Sequence, residues 1–235
     1  MVHAKSDRHT LHLAGAPRSV NVRVHKRARR MTLRLDARGE GLRLTLPPGV
    51  PTADGLAFAA RQEAWLVRRL SARPARLPFV DGAEIPILDT PHVIRHRPEA
   101  RRGVWRVDGA IYVSGPAEHL PRRVQDFLKT EARREIVPRV DRIAEEIDRT
   151  PGRISLRDTR SRWGSCSSRG DLNFCWRLIL TPEHVLHYVV VHEVAHLVHM
   201  DHGNAFWGLV RRLMPDMDEA RQWLRAHGEH LHRYG

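Results

Sequence analysis

Residues 189–198, Val-Val-Val-His-Glu-Val-Ala-His-Leu-Val, carry apolar side chains on almost every face of a helix. A helix that is hydrophobic all round belongs in the centre of a domain. Its three polar residues, His192, Glu193 and His196, therefore need a reason to be there. An ionised glutamate without a partner among Val190, Val191, Val194 and Ala195 would cost several kcal/mol, and folding alone offers nothing in return.

A metal ion supplies the reason. His192 and His196 stand one helical turn apart, so both imidazoles project from one face and can hold one zinc at about 2.0 to 2.1 Å. Glu193 lies beside them, placed to take a proton from the zinc-bound water and later deliver it to a leaving amine. This is the H-E-x-x-H arrangement. The chain is rich in histidine, with 16, yet composition alone would produce the motif only about 0.06 times in a chain of this length. Its setting in the most apolar helical segment strengthens it further.

A catalytic zinc takes three protein ligands and keeps one position open. The local candidates for the third are His199 and His202. His199 is about 10.5 Å along the axis from His192, at about 1.5 Å per residue, which would strain three ligands on one straight helix. His202 is better placed, because Asp201-His202-Gly203 reads as a helix end from which the chain can turn back over the metal. His199 then fits beside the site rather than in it. Phe206 and Trp207 read as core anchors holding the His202 turn.

The chain has 235 residues, enough to bury a substantial core. No stretch approaches the roughly 20 apolar residues of a membrane span, and residues 1–10 lack the apolar core of a secretion signal. Two cysteines, Cys166 and Cys175, are too few for a disulfide framework and fit a reducing compartment. A cytoplasmic protein is expected. Of the net charge of +13, residues 1–115 contribute 21 Lys+Arg against 10 Asp+Glu, or +11, and residues 116–235 contribute 19 against 17, or +2. Such an excess can attract nucleic acid, and it can equally be ordinary solvation.

Alternation marks three strands early on, at Val20, Val22 and Val24, at Met31, Leu33 and Leu35, and at Leu42, Leu44 and Leu46, with a glycine-containing break before the last. One helix is expected over residues 52–70, ended by the proline-rich stretch 73–78. Short runs at 85–88, 93–96, 104–107 and 111–113 read as further strands, and Gly115-Pro116 marks a boundary. A long helix follows over residues 124–147, kinked or divided at Pro138. Strands at 154–156, 162–166 and 172–174 precede a helix that begins at Thr181-Pro182 and runs to about Met200. Helices at 204–213 and 215–226 complete the chain, the last with Asp216 and Glu219 spaced as a capping box. No internal repeat is visible. The expected fold is α+β, with a basic β-rich region at 1–115 and a mainly helical domain carrying a small sheet at 116–235.

Arg160-Ser161-Arg162-Trp163-Gly164-Ser165-Cys166, then Leu172-Asn173-Phe174, then His192 to His202 with Phe206-Trp207 beyond, closely resembles the YgjP-like zinc metallopeptidases, relatives of the SprT-like and WLM groups. Residues 27–46 resemble that family's start. The spacing from His192 to His202 also equals that of the metzincins, but His199 stands where they have a turn glycine. The resemblance implies a zincin-like catalytic domain in which His192, His196 and His202 hold one Zn2+ and Glu193 is the general base.

Arg162, Trp163, Gly164, Ser165 and Cys166 are candidates for an edge strand that pairs with an extended peptide substrate. The alternative is that Trp163 and Cys166 pack the core while Gly164 permits a close approach. Tyr188, His187, Tyr234 and Arg162 are all candidates to stabilise an oxyanion. The competing reading of the whole chain is a nucleic-acid-associated protein with a structural or vestigial metal site. Glu193 argues against it, because a structural site needs ligands but no base.

Overall fold

The computed structural model describes residues 6–36, 41–71 and 75–235. The chain divides into two units, Met1–Pro74 and Ala75–Gly235. Each has its own apolar core.

In the first unit the alternating residues form β2 (Ala16–Val24), β3 (Thr32–Leu35) and β4 (Gly41–Leu46). They are preceded by β1 (Ser6–Leu13). The sequence hides this strand, because Asp7, Arg8, His9, Thr10 and His12 leave only Leu11 and Leu13 to mark an alternation. Ala14 and Gly15 join β1 to β2 with φ of 53° and 72°, the two positive values of a primed hairpin turn. The order is β1-β2-β4-β3, parallel between β2 and β4 and antiparallel elsewhere. Leu13, Val20, Val22, Leu42, Leu44, Leu46 and Leu66 fill its core. The single helix expected over 52–70 is two, α1 (Thr52–Ala60) and α2 (Glu63–Ser71). Between them Gln62 N–H donates to the Ala59 carbonyl at 3.1 Å, a tightened i→i−3 bond that interrupts the α-helical pattern. Part of the break before Leu42, at 37–40, and the start of the proline-rich stretch, at 73–74, lie outside the described residues. Residues 1–74 hold 15 Lys+Arg and 5 Asp+Glu, so 15 − 5 gives +10, and most of the basic excess belongs to this unit.

The second unit opens with β5 (Glu84–Ile87), β6 (Thr90–Arg97), β7 (Val104–Val107) and β8 (Ala110–Ser114). Their order is β5-β6-β8-β7, parallel between β6 and β8 and antiparallel elsewhere, which repeats the topology of the first sheet. The sequence gives no sign of this repeat, because the two sheets share no residue pattern. Helix α3 (Leu120–Glu146) runs through Pro138 undivided for 27 residues. Pro138 and Arg134 are both exposed, so the carbonyl that Pro138 leaves without its usual donor faces water. Leu120, Val124, Leu128, Ile136, Val140 and Ile143 bury one stripe of α3. Then come β9 (Ile154–Arg157), β10 (Gly164–Cys166) and β11 (Leu172–Cys175), ordered β10-β11-β9 with β10 at an edge. A buried 3-10 turn, Trp176–Leu180, leads into α4 (Glu183–Ala195), and α5 (Asn204–Leu213) and α6 (Met217–Leu231) follow. The expected capping box at Asp216 and Glu219 does not form, and α4 has no side-chain cap either. Pro182 occupies the N-cap of α4, Thr181 donates its hydroxyl to the Leu178 carbonyl at 2.8 Å, and Asp216 makes no side-chain cap bond to α6.

The division falls before β5 rather than at Gly115-Pro116. Ile85, Ile87, Ile94, Ile111 and Val113 pack in the same core as α3 and α4, and Leu88 N–H donates to the Ile179 carbonyl at 2.8 Å. Gly115, with φ of 80°, is a turn inside the unit rather than a linker. No helix among the described residues is long and apolar enough to cross a membrane. Residues 75–235 expressed alone should therefore unfold in one cooperative transition, and residues 116–235 alone should not. Ile111→Ala should cost the second unit about 2–5 kcal/mol in denaturant melts.

Candidate metal centre

Helix α4 is buried from Val185 through Ala195 except where polar residues break its surface. Glu193 is 6% exposed and His196 8%, while His192 is half-buried. The α-helical pattern ends at Ala195, short of the expected Met200. Leu197 and Val198 instead donate to the Val194 and Ala195 carbonyls at 2.9 and 3.1 Å, tightening the chain into a turn. The turn brings His202 back towards α4.

His202 Nε2 lies 3.1 Å from His192 Nε2. One ligand atom from each of His192, His196 and His202 falls within a span of 4.8 Å. Two nitrogens on one tetrahedral zinc would sit about 3.4 Å apart at bond lengths of about 2.0–2.1 Å, so the donor set fits such an ion. His196 Nδ1 donates to the His199 carbonyl at 2.9 Å, which leaves its Nε2 lone pair available. His199 thus contributes its main chain rather than its ring. The Tyr188 hydroxyl lies 3.5 Å from His192 Nδ1. Phe206 stacks on His196 with centroids 4.5 Å apart and meets His192 edge-on at 5.0 Å, while Trp207 lies 5.7 Å from His202. Phe206 is fully buried and Trp207 half-buried, and both rings pack against the imidazoles.

Burial, with smaller contributions from His196, His202 and Arg221, pushes the His192 imidazole down to about 4. Burial also lowers His196, against the opposing effect of its bond to the His199 carbonyl. Neutral rings are what a metal requires. Burial pushes the Glu193 carboxyl up to about 7, opposed by the Arg162 guanidinium.

Strand β10 lies directly against Glu193. A Cβ on Gly164 would come within 2.5 Å of Glu193 Oε1, so only glycine lets the Glu193 side chain lie this close to the strand. A cavity of about 300 Å3 opens beside them. Arg162, Trp163 and Gly164 form one wall, Tyr188, Val189, His192 and Glu193 another, and Leu224 of α6 a third. Arg162 and Trp163 precede the strand rather than belonging to it. Ser165 pairs with Asn173 and Cys166 with Leu172, and neither lines the cavity. Cys166 and Cys175 are free, and burial raises both thiols, Cys166 to about 11. Among the oxyanion candidates, Tyr188 and Arg162 face the cavity. His187 lines a different one, with Arg139 and Arg142, and Tyr234 pairs with Leu77. Leu224 escaped the sequence reading. Its only signal is a place on the α6 face that also carries Gly228, a glycine in the middle of a helix.

The model of one protein family, YgjP-like, metallopeptidase domain, matches residues 29–227. The chain belongs to the YgjP-like family. Membership supports a peptidase acting on protein or peptide substrates. No curated protein matches the sequence. Among solved structures, the metallopeptidase zymogen of Pyrococcus abyssi abylysin is 18% identical, with the match covering 38% of this chain and 93% of that one at a TM-score of 0.35.

His202→Ala should lower the zinc content of purified protein well below one equivalent. His199→Ala should leave it unchanged, because only the main chain of residue 199 is used. Zinc affinity should fall as pH drops from 7 to 5, since protons compete for the same imidazole lone pairs, and titration with a chelating indicator reads this directly.

Proposed function

We propose that the chain is a zinc-dependent metallopeptidase that hydrolyses peptide bonds, with one Zn2+ held by His192, His196 and His202 and Glu193 as general base in a zincin-like domain. The observation that carries this reading is a buried carboxyl beside three imidazoles close enough to share one ion. Bound zinc would supply Lewis acidity, polarising the scissile carbonyl and making a water molecule easier to deprotonate.

The chain's own residues account for the rest. Glu193 accepts a proton from the attacking water at a carboxylate oxygen and passes it to the amine as the peptide C–N bond breaks. Low exposure keeps competing water away from this transfer and strengthens its electrostatics. Tyr188 and Arg162 face the same cavity and are the donors available to the oxygen on which negative charge builds. Among the described residues β10 is an edge strand, which would offer main-chain groups to an extended substrate that Gly164 keeps close to Glu193. Two free thiols fit action in the reducing cytoplasm.

Glu193→Gln should retain one equivalent of zinc and lose about 10²- to 10⁴-fold in kcat/KM on an unstructured protein substrate. Retained turnover would remove Glu193 from the role of base. Gly164→Ala should also keep zinc and lose activity, because its methyl group would occupy the space of the Glu193 carboxyl.

A further inference from the structure

Gly228 lies inside α6, where glycine weakens a helix relative to alanine. A Cβ at this position would come within 3.1 Å of Cζ2 of the Trp163 ring. The same indole stacks on His232, with centroids 5.1 Å apart and planes inclined by 11°. Burial and the nearby Arg177 and Arg160 lower the His232 pKa, favouring the uncharged ring. Residues 224, 228 and 232 follow one another at i+4 spacing, so they share one stripe of α6. That stripe seats the indole with Gly228 and His232, and supplies Leu224 as a cavity wall.

We propose that the cavity receives the apolar side chain of a substrate residue flanking the scissile bond, and that the seat of Trp163 on Gly228 sets its width. The inference rests on the peptidase reading and adds to it a substrate class and the residues that choose it. Trp163, Val189 and Leu224 give the cavity apolar walls next to Glu193. A volume of about 300 Å3 is at the lower end for ligand sites, which suits one side chain rather than a folded partner. Trp163 and Leu224 are half-buried, so the ring has room to shift when something larger than hydrogen stands behind it.

The test uses the full chain carrying Glu193→Gln and loaded with zinc, so that peptides bind without being cut. Peptides identical except for Gly, Ala, Leu, Phe or Asp at one position are titrated, position by position, and their Kd values measured. At one position Leu or Phe should bind about tenfold or more tighter than Gly. Adding Gly228→Ala should cut the preference for Phe over Ala by about tenfold, and adding Leu224→Ala should shift preference towards Phe. Thermal melts show whether each variant is folded, and either variant alone is sufficient to read the shift. Equal affinity for all side chains, a preference for Asp, or the same ranking in all three proteins would overturn the pocket. Hydrolysis by the wild-type chain is assayed in parallel, and its absence would count against the peptidase reading while the affinities still judge the pocket.

Discussion

A carboxyl group buried among valines sets the terms for the second unit. Glu193 cannot be ionised there without compensation, and burial accordingly raises its pKa to about 7. The same burial lowers the pKa of His192 and of His196, favouring the uncharged rings beside that carboxyl. Each shift would be a defect in an ordinary core. Together they describe a cluster whose donors are compatible with a metal ion.

Much of the remaining structure serves to hold that arrangement in place. The tightened turn after Ala195 places the His199 carbonyl on His196 and returns His202 to His192. Phe206 supports two of the rings from α5. Strand β10 sets a bare glycine backbone against Glu193. Three separate elements thus restrain the side chains of a single helix, which is how a site achieves geometry finer than any one rotamer would give.

The histidine cluster was legible because its signal is local. His192, Glu193 and His196 fall on one helical face by spacing alone, and His202 followed from a recognisable helix end. The wall made by Leu224 and the seat made by Gly228 were not legible, because they depend on how α6 docks, and no short-range pattern encodes that. Boundaries failed for a similar reason. Gly115-Pro116 looks like a linker in sequence, but Ile94 and Ile111 bury their side chains with Val140 and Val190, far along the chain. Strand β1 stayed hidden because it shows only Leu11 and Leu13 to mark it. The repeated sheet topology is invisible because strand order leaves no imprint on composition.

That repetition carries its own implication. Both sheets begin with a two-residue turn of positive φ, Ala14-Gly15 in one and Leu88-Asp89 in the other, though only the first contains glycine. Leu88 at φ of 48° is costly for an L-residue, and its amide is fastened to Ile179 in the turn that feeds the metal helix. A slip of β5 by one residue at this corner would rotate Ile85 and Ile87 out of the interior and release the same fastening. The register of a distant hairpin and the anchorage of helix α4 are therefore joined at one peptide group.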